Sequence, residues 1–253
     1  MNLTGNTILI TGGGSGIGRS LAEEFHKLGN QVIIAGRRKQ ALDETTAANP
    51  GIKSLSLDIE DPAAIRAFAA RATAEFPALN VLINNAGIMR PENLLAQQAD
   101  LADAEATVTT NLLGPIRLTA ALLPHLQKQA SAVVVNVSSG LAFVPLALTP
   151  TYSATKAAIH SYTQALRHQL RGTAVEVIEL IPPYVATHLM SGADDPRAMP
   201  LAEFIAEVMS IFHTQPTPAE ISVERVKGLR FAAENGHFDN VFAGLNTSRP
   251  DGH

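Results

Sequence analysis

Short β-branched runs alternate with longer amphipathic stretches along most of this chain, and that alternation constrains the fold more than any other feature. Thr7–Thr11 (TILIT), Gln31–Ala35 (QVIIA), Ile52–Leu57, Leu79–Asn84 (LNVLIN), Ala132–Val137 (AVVVNV) and Ala174–Leu180 (AVEVIEL) read as strands. Several are apolar without a break, as strands are when helices cover both faces of a parallel sheet. Between them, Gly16–Leu28, Lys39–Ala48, Pro62–Phe76, Asp103–Gln129 and Tyr152–Leu170 carry a helical period. Strand and helix in turn imply βαβ units with right-handed crossovers. The expected fold class is therefore α/β, a doubly wound parallel sheet of about seven strands flanked by helices.

The period changes after the sixth run. Residues 186–217 contain Pro196, Pro200 and Pro216 around one helical stretch, Leu201–Phe212. Apolar residues such as Leu189, Met190, Phe204 and Phe212 point to a helical substrate lid after the sixth strand rather than a structureless insertion. A last helix over 218–234 and a short strand over 240–243 are expected to close the chain. A length of 253 residues, 46% hydrophobic and 17% charged, suits a single domain spanning 1–253 with one sizeable core.

Composition removes several function classes. A net charge of −4, with no basic cluster beyond Arg37-Arg38-Lys39, leaves no footprint for nucleic acid. The absence of cysteine excludes disulfides, thiolate metal sites and a Cys nucleophile, and the eight histidines show no ligand spacing, so no metal is expected. His188 reads as a loop residue. Met-Asn-Leu-Thr-Gly-Asn lacks the regions of a signal peptide, and no apolar run approaches the ~20 residues that cross a bilayer. A cytoplasmic protein without membrane contact is the expectation.

The first strand runs into Thr11-Gly12-Gly13-Gly14-Ser15-Gly16-Ile17-Gly18, followed at once by a helix. Glycines allow the tight turn and let the backbone approach a pyrophosphate resting on the helix N-terminus. The spacing is T-G-x-x-x-G-x-G, through Thr11, Gly12, Gly16 and Gly18, not G-x-G-x-x-G. Four more signatures follow in order: Asn84-Asn85-Ala86-Gly87, Asn111 in the long helix, Asn136-Val137-Ser138-Ser139, and Tyr152-Ser153-Ala154-Thr155-Lys156 (Y-x-A-x-K). Over residues 5–190 the chain resembles the short-chain dehydrogenase/reductase family, which implies a Rossmann domain. The Ile-Pro-Pro-Tyr-Val-Ala-Thr run, with Ala157–Tyr162, resembles its DltE-like oxidoreductase subgroup.

Tyr152 and Lys156 lie one turn apart on a helix face. Such a pair arises easily by chance. Its weight comes from following a Ser-bearing strand end, with Ser139 thirteen positions before Tyr152 as in the family. Reducing a carbonyl by hydride transfer leaves an alkoxide that needs a proton, and a phenol with pKa ~10 is a weak acid/base at neutral pH. A neighbouring ammonium and an oxidised nicotinamide favour the phenolate. The resemblance implies that Tyr152 is the acid/base and that Lys156 supplies charge and binds the nicotinamide ribose. It also implies that Ser139 polarises the substrate oxygen and that Asn111 holds a water linking Lys156 to solvent. The implied reaction is hydride exchange between a nicotinamide cofactor and a carbonyl or secondary alcohol.

At the end of the second strand, where NAD users carry a carboxylate, the sequence reads Ala35-Gly36-Arg37-Arg38. A guanidinium fork suits a 2′-phosphate, so NADP(H) is expected over NAD. The resemblance favours Arg37 over Arg38 as the partner, although the glycine loop offers only Ser15 where many NADP-using relatives carry Lys or Arg. Further cofactor contacts are expected from Gly12, Gly14, Ser15, Gly16, Ile17 and Gly18, from Asp58 (adenine amino group) and Ile59, and from Asn85, Ala86 and Gly87. Pro182, Val185 and Thr187 complete the set. Pro183 stands where the family has the glycine of P-G-x-x-x-T, fixing φ and removing a donor. Leu141, Phe143, Leu146, Tyr184, Leu189 and Met190 are expected to form a mostly apolar substrate pocket for a small or medium ketone, aldehyde or alcohol.

Two other classes compete. One is a non-catalytic dinucleotide-binding sensor or scaffold, against which the full Ser–Tyr–Lys–Asn set argues. The other, a sugar-nucleotide epimerase, needs a larger C-terminal part than the 66 residues after Thr187. Helices at 103–129 and 152–170 form a dimer face in relatives, so a homodimer or homotetramer is expected. The polar tail at 246–253 lacks the Gly-rich pattern common in tetrameric members.

Overall fold

Seven parallel strands form a sheet in the order β3-β2-β1-β4-β5-β6-β7. They are β1 (Thr7–Thr11), β2 (Gln31–Gly36), β3 (Lys53–Ser56), β4 (Leu79–Asn84), β5 (Ala132–Val137), β6 (Val175–Ile181) and β7 (Glu220–Ser222). The computed structural model describes residues 1–96, 100–190 and 195–247. Residues 191–194 of the expected lid and 248–253 of the tail lie outside the described residues.

Alternation along the strands divides the interior in two, since successive side chains point to opposite faces. Ile8, Ile10, Ile34 and Ile83 pack with Leu21 and Phe25 of α1 (Gly16–Lys27) and with α7 (Leu201–Phe212). Leu9, Ile33, Leu82 and Val134 face the other way, onto α3 (Pro62–Glu75), α5 (Gly114–Leu126) and α6 (Pro150–Gln169). Each fully buried Leu or Ile contributes roughly 1.5–3 kcal/mol, so a one-residue register slip would expose a whole face. Helix α2 (Lys39–Ala48) lies against β2 and β3. The strand order reverses between β1 and β4, and the crevice outside their carboxyl ends is where such sheets bind ligands.

Four expectations are corrected. The stretch 218–234 is not one helix: its first residues form β7, which pairs with β6 through Glu179–Glu220, Leu180–Ile221 and Ile181–Ser222. Only a 3₁₀ turn and the short α8 (Lys227–Arg230) follow. Residues 240–243 are not a strand but part of α9 (Phe238–Asn246). Phe238, Val241, Phe242 and Leu245 recur at helical spacing, and Phe238 stacks on Phe242 at 5.9 Å.

The expected helix 103–129 is broken into α4 (Ala102–Val108), a π-helical turn (Thr109–Leu113) and α5. Pro115 has no amide hydrogen for the i→i−4 bond to Asn111, which forces a wider turn there. Helix α7, assigned to a lid, is a core helix. Phe204, Val208 and Phe212 are fully buried, and the Phe212 ring meets Phe25 of α1 edge-on at 5.7 Å. Its apolar residues fill the space above the sheet that the crossover to β7 must cover.

Candidate active site

The glycine loop and the turn after β4 are tied together at the strands' carboxyl edge. Thr11 Oγ1 accepts the amides of Asn85 and Ala86 at 3.0 and 3.1 Å, while Asn85 Nδ2 donates to the Thr11 carbonyl at 3.0 Å. Gly12 adopts φ +68°, a conformation few side chains tolerate, and a Cβ there would lie 3.0 Å from Ala86 Cα. A Cβ on Gly18 would lie 2.5 Å from the Gly12 carbonyl oxygen and 2.4 Å from Asn85 Nδ2. Gly18 therefore lets α1 close against its own loop, and it packs behind the cleft wall rather than on it.

The loop opens into a cleft of about 1170 Å³ whose wall also carries Ser139, Tyr152, Lys156, Arg37 and Arg38. Pro150 begins α6, pre-setting φ for a first helical turn that contains Tyr152. Tyr152 and Lys156 are both buried. Burial pushes the phenol up to about 12, against which a hydrogen bond from Ser139 acts. Ser139 Oγ accepts the Leu141 amide at 3.1 Å, capping the 3₁₀ turn Gly140–Ala142 and leaving its own hydrogen to donate. Burial also pulls the Lys156 ammonium down to about 8, partly offset by the charge of Glu179. Its Nζ donates to the Val137 carbonyl at 2.8 Å and stands 5.5 Å from the Tyr152 ring centre. The ammonium is thus aimed at the end of β5 and not at the phenol.

Asn111 sits in the π-turn, buried behind the wall. Its Oδ1 accepts the Ile88 amide at 2.9 Å, and its Nδ2 donates to the Ile88 carbonyl at 2.8 Å and to Thr155 Oγ1 at 3.4 Å. A Cβ on Gly87 would lie 3.3 Å from Asn111 Oδ1 and 3.9 Å from Lys156 Nζ, so Asn111, Gly87 and Lys156 are packed in sequence.

The two arginines have different partners. Arg38 Nη2 donates to Ser15 Oγ of the glycine loop at 2.8 Å. Arg37 Nη1 pairs with Glu60 at 2.6 Å, and Glu60 also accepts from Thr110 Oγ1 at 2.8 Å. Asp58 is exposed and accepts the Glu60 amide at 3.0 Å; its neighbours Leu57 and Ile59 are on the wall, but Asp58 is not. Gly14, Gly16, Ile17, Asn85, Ala86, Gly87, Pro182, Val185 and Thr187 are on the wall.

On the substrate side the wall carries Leu141, Leu146, Tyr184, Leu189 and Met190, but not Phe143. The turn after Ser139 throws Phe143 inward, where its ring meets His160 edge-on at 4.6 Å and lies 4.5 Å from Arg230 Cζ. Several wall residues escaped the sequence reading: Ile88, Met89, Arg90, Leu148, His188, Arg197 and, from α9 and beyond, Gly244–Thr247. No local pattern marks them, because they meet only in the folded chain. Arg197 is held by Asp195 at 2.6 and 3.0 Å, which keeps the Asp195 carboxyl well below the usual range.

A family model described as short chain dehydrogenase matches residues 6–198. The chain belongs to the short-chain dehydrogenase family. It is 41% identical over 250 residues, 98% of this chain and 99% of the relative, to the "uncharacterized oxidoreductase DltE" of Bacillus subtilis. It is 32% identical over 236 residues, 87% of this chain and 92% of the other, to sulfoacetaldehyde reductase 2 of Chromohalobacter salexigens. Among solved structures, a short chain dehydrogenase from Burkholderia cenocepacia in complex with NADP superposes with a TM-score of 0.81 at 25% identity, covering 98% of this chain and 100% of that one.

As a short-chain dehydrogenase, the chain has a cleft that fits a nicotinamide dinucleotide. A Cβ at Gly14 would meet Ala41 Cβ at 3.1 Å, so the absence of a side chain lets the loop backbone on the cleft wall pack closely on α2. Guanidinium groups, not carboxylates, follow β2 on the wall. Among the described residues, no helix is long and apolar enough to cross a membrane.

Proposed function

We propose that the chain is an NADP(H)-dependent oxidoreductase that interconverts a small or medium carbonyl compound and the corresponding alcohol. The observation that carries this reading is the buried Ser139–Tyr152–Lys156 group on the wall of the cleft into which the glycine loop opens. The cofactor, when bound, donates or accepts the hydride. In the reducing direction Tyr152 Oη passes its proton to the substrate oxygen, while Ser139 Oγ donates a hydrogen bond to that same oxygen. The Lys156 charge and that of the oxidised ring counter the burial that raises the phenol. Asn111 keeps the Ile88 backbone and Gly87 against Lys156, a positioning role beside the water contact that the family resemblance implies.

Arg38, linked to Ser15 at the loop, supports a 2′-phosphate site that Arg37 can join by exchanging Glu60. This reading assigns Arg38 at least an equal part with Arg37. The apolar wall at Leu141, Leu146, Leu189 and Met190 supports a compact, mainly apolar substrate. One relative is named for a small aldehyde, which belongs in any substrate panel. We also expect a homodimer or homotetramer in the cytoplasm, to be checked by analytical ultracentrifugation.

The test is a nicotinamide absorbance screen over aromatic and aliphatic ketones and small aldehydes, sulfoacetaldehyde included, with NADPH and NADH in parallel. Turnover with NADPH at a higher kcat/KM than with NADH is expected. Preference for NADH would sink the arginine assignment, and no turnover across the panel would sink the enzymatic reading.

A further inference from the structure

A polar row crosses four strands beneath the cleft. In register, Asn84 of β4 lies beside Asn136 of β5, Asn136 beside Glu179 of β6, and Glu179 beside Glu220 of β7. Residues opposite one another on neighbouring strands share a face, here the face covered by α5 and α6. Asn84 Nδ2 donates to Asn136 Oδ1 at 2.8 Å and to Thr119 Oγ1 at 3.0 Å, and Asn136 Nδ2 donates to Thr163 Oγ1 at 2.9 Å. The row then ends in two carboxylates.

The two are held differently. Glu220 receives the Arg230 guanidinium through both oxygens, at 2.8 and 3.2 Å, and Arg230 also pairs with Glu234. Glu179, with 0% exposure, faces His160 Nδ1 at 2.8 and 3.1 Å. Gln164 Nε2 lies 3.1 Å from His160 Nε2. A carboxylate can only accept, so the Nδ1 that faces Glu179 carries a hydrogen and donates it. His160 thereby orients the carboxylate from the α6 side. Ligand atoms of His160, Glu179 and Glu220 lie within 4.8 Å of one another, but Arg230 already occupies Glu220, so the group is an ion-pair cluster and not a cation site.

A buried carboxylate without a counter-charge is unfavourable, and so is a buried ammonium. Lys156 is one turn before His160 on α6, on the same side of the helix. The carbonyl it holds, that of Val137, belongs to the residue after Asn136 in the row, and Val137 is registered with Leu180, the residue after Glu179. We propose that Glu179 is a positioning residue of this active site: its buried carboxylate, oriented by His160, is the standing counter-charge that keeps Lys156 an ammonium directed to the end of β5. It acts through Lys156. The same cluster braces the turn after Ser139, because Phe143 is held between His160 and Arg230. Among the described residues, the titratable and charged groups around the pair include Tyr152, His160 and Arg167 on α6, Glu220 on β7, Arg230 on α8 and Glu234 beyond it; Arg167 is bonded to the Val177 and Ala219 carbonyls, and β5 contributes Asn136. Glu179 is the charge that resists the pull of burial on Lys156.

The proposal takes the role of Lys156 from the function proposed above, but its first test does not depend on turnover. In protein carrying [ε-13C]lysine, the Lys156 signal, assigned by its loss in Lys156→Met, is followed by NMR through a pH titration. A midpoint near about 8 is expected for the parent protein. Glu179→Gln is expected to lower it by about one pH unit or more, a tenfold loss of proton affinity, and Glu179→Asp to restore part of the shift. His160→Leu, which leaves the carboxylate without its donor, is expected to shift the midpoint the same way, and it serves if Glu179→Gln does not fold. An unchanged midpoint in a folded variant overturns the proposal. With any substrate that turns over, the alkaline limb of the Glu179→Gln kcat profile is expected at lower pH, with KM altered less. A uniform loss at all pH values would mark a merely structural role and overturn the proposal. Failure of every substrate would instead count against the enzymatic reading and leave the NMR result standing.

Discussion

Asn111 closes both backbone hydrogen bonds of Ile88, accepting its amide at 2.9 Å and donating to its carbonyl at 2.8 Å. The π-turn brings the side chain to that position, one wall away from Lys156. Asn111→Ala leaves both backbone groups unpaired in a half-buried strip and opens a gap beside Gly87. A loss of about 1–3 kcal/mol in urea denaturation is expected, with a fall in turnover larger than the stability loss explains. Unchanged turnover in a folded Asn111→Ala protein would show that the Ile88 clamp has no bearing on Lys156.

Tyr152→Phe keeps the ring that fills the wall and removes the oxygen that moves the proton. Turnover with NADPH is expected to fall by about 10²- to 10⁴-fold, while NADPH affinity, read from fluorescence titration, stays close to the parent value. Ser139→Ala is expected to lower kcat in the same direction by less. A Tyr152→Phe enzyme that retains parental kcat would remove the acid/base assignment.

Arg38 is tied to Ser15 and Arg37 to Glu60, so the two arginines are expected to differ under substitution. Loss of a charge-assisted bond to a phosphate costs about 1.5–3 kcal/mol, which makes Arg38→Ala weaken NADPH binding by about 10- to 100-fold. Arg37→Ala is expected to weaken it less, because the arginine must first leave Glu60. NADH affinity serves as the control and should move by no more than about twofold in either variant, a threshold set by ordinary surface substitutions. Equal losses toward both cofactors would show that neither guanidinium reads the 2′-phosphate.

How far the sequence led follows from how local each signal is. Strands β1, β2, β4, β5 and β6 were legible because each is rich in β-branched or other apolar residues, β3 showed only as the polar–apolar alternation of Ile52–Leu57, and the T-G-x-x-x-G-x-G spacing located the loop beside Asn85. Strand β7 has three residues, too few for any period, and depends on pairing with β6. Phe143 follows Ser139 closely enough to suggest the pocket, yet the intervening turn sends it to His160 and Arg230. Glu179 is one of two carboxylates in β6, with Glu176, and nothing in the strand's pattern singled it out. His160 is nineteen residues earlier and on another element, so nothing local names it. The wall residues Gly244–Thr247 enter the cleft from the far end of the chain and were equally hidden.

Lys156 and Tyr152 give the stability of this protein a pH dependence of opposite sign in two windows that overlap between pH 10.0 and 10.5. The folded-state value for Lys156 is about 8, against 10.5 for the ordinary side chain. Between these values the unfolded chain binds more protons, so this group's contribution rises with pH from about 8 to 10.5 and the cost of the buried ammonium is relieved. Tyr152 runs the other way. With its phenol raised from 10.0 to about 12, the folded chain holds the extra proton, and its contribution falls as pH rises through that range. Each effect amounts to roughly 3 kcal/mol at full extent. Urea denaturation at intervals across both windows checks this through differences between proteins. Lys156→Met is expected to lose the rise and Tyr152→Phe to lose the fall. If Lys156→Met follows the same curve as the parent protein from pH 8 to 10.5, the ammonium is not buried in the folded state.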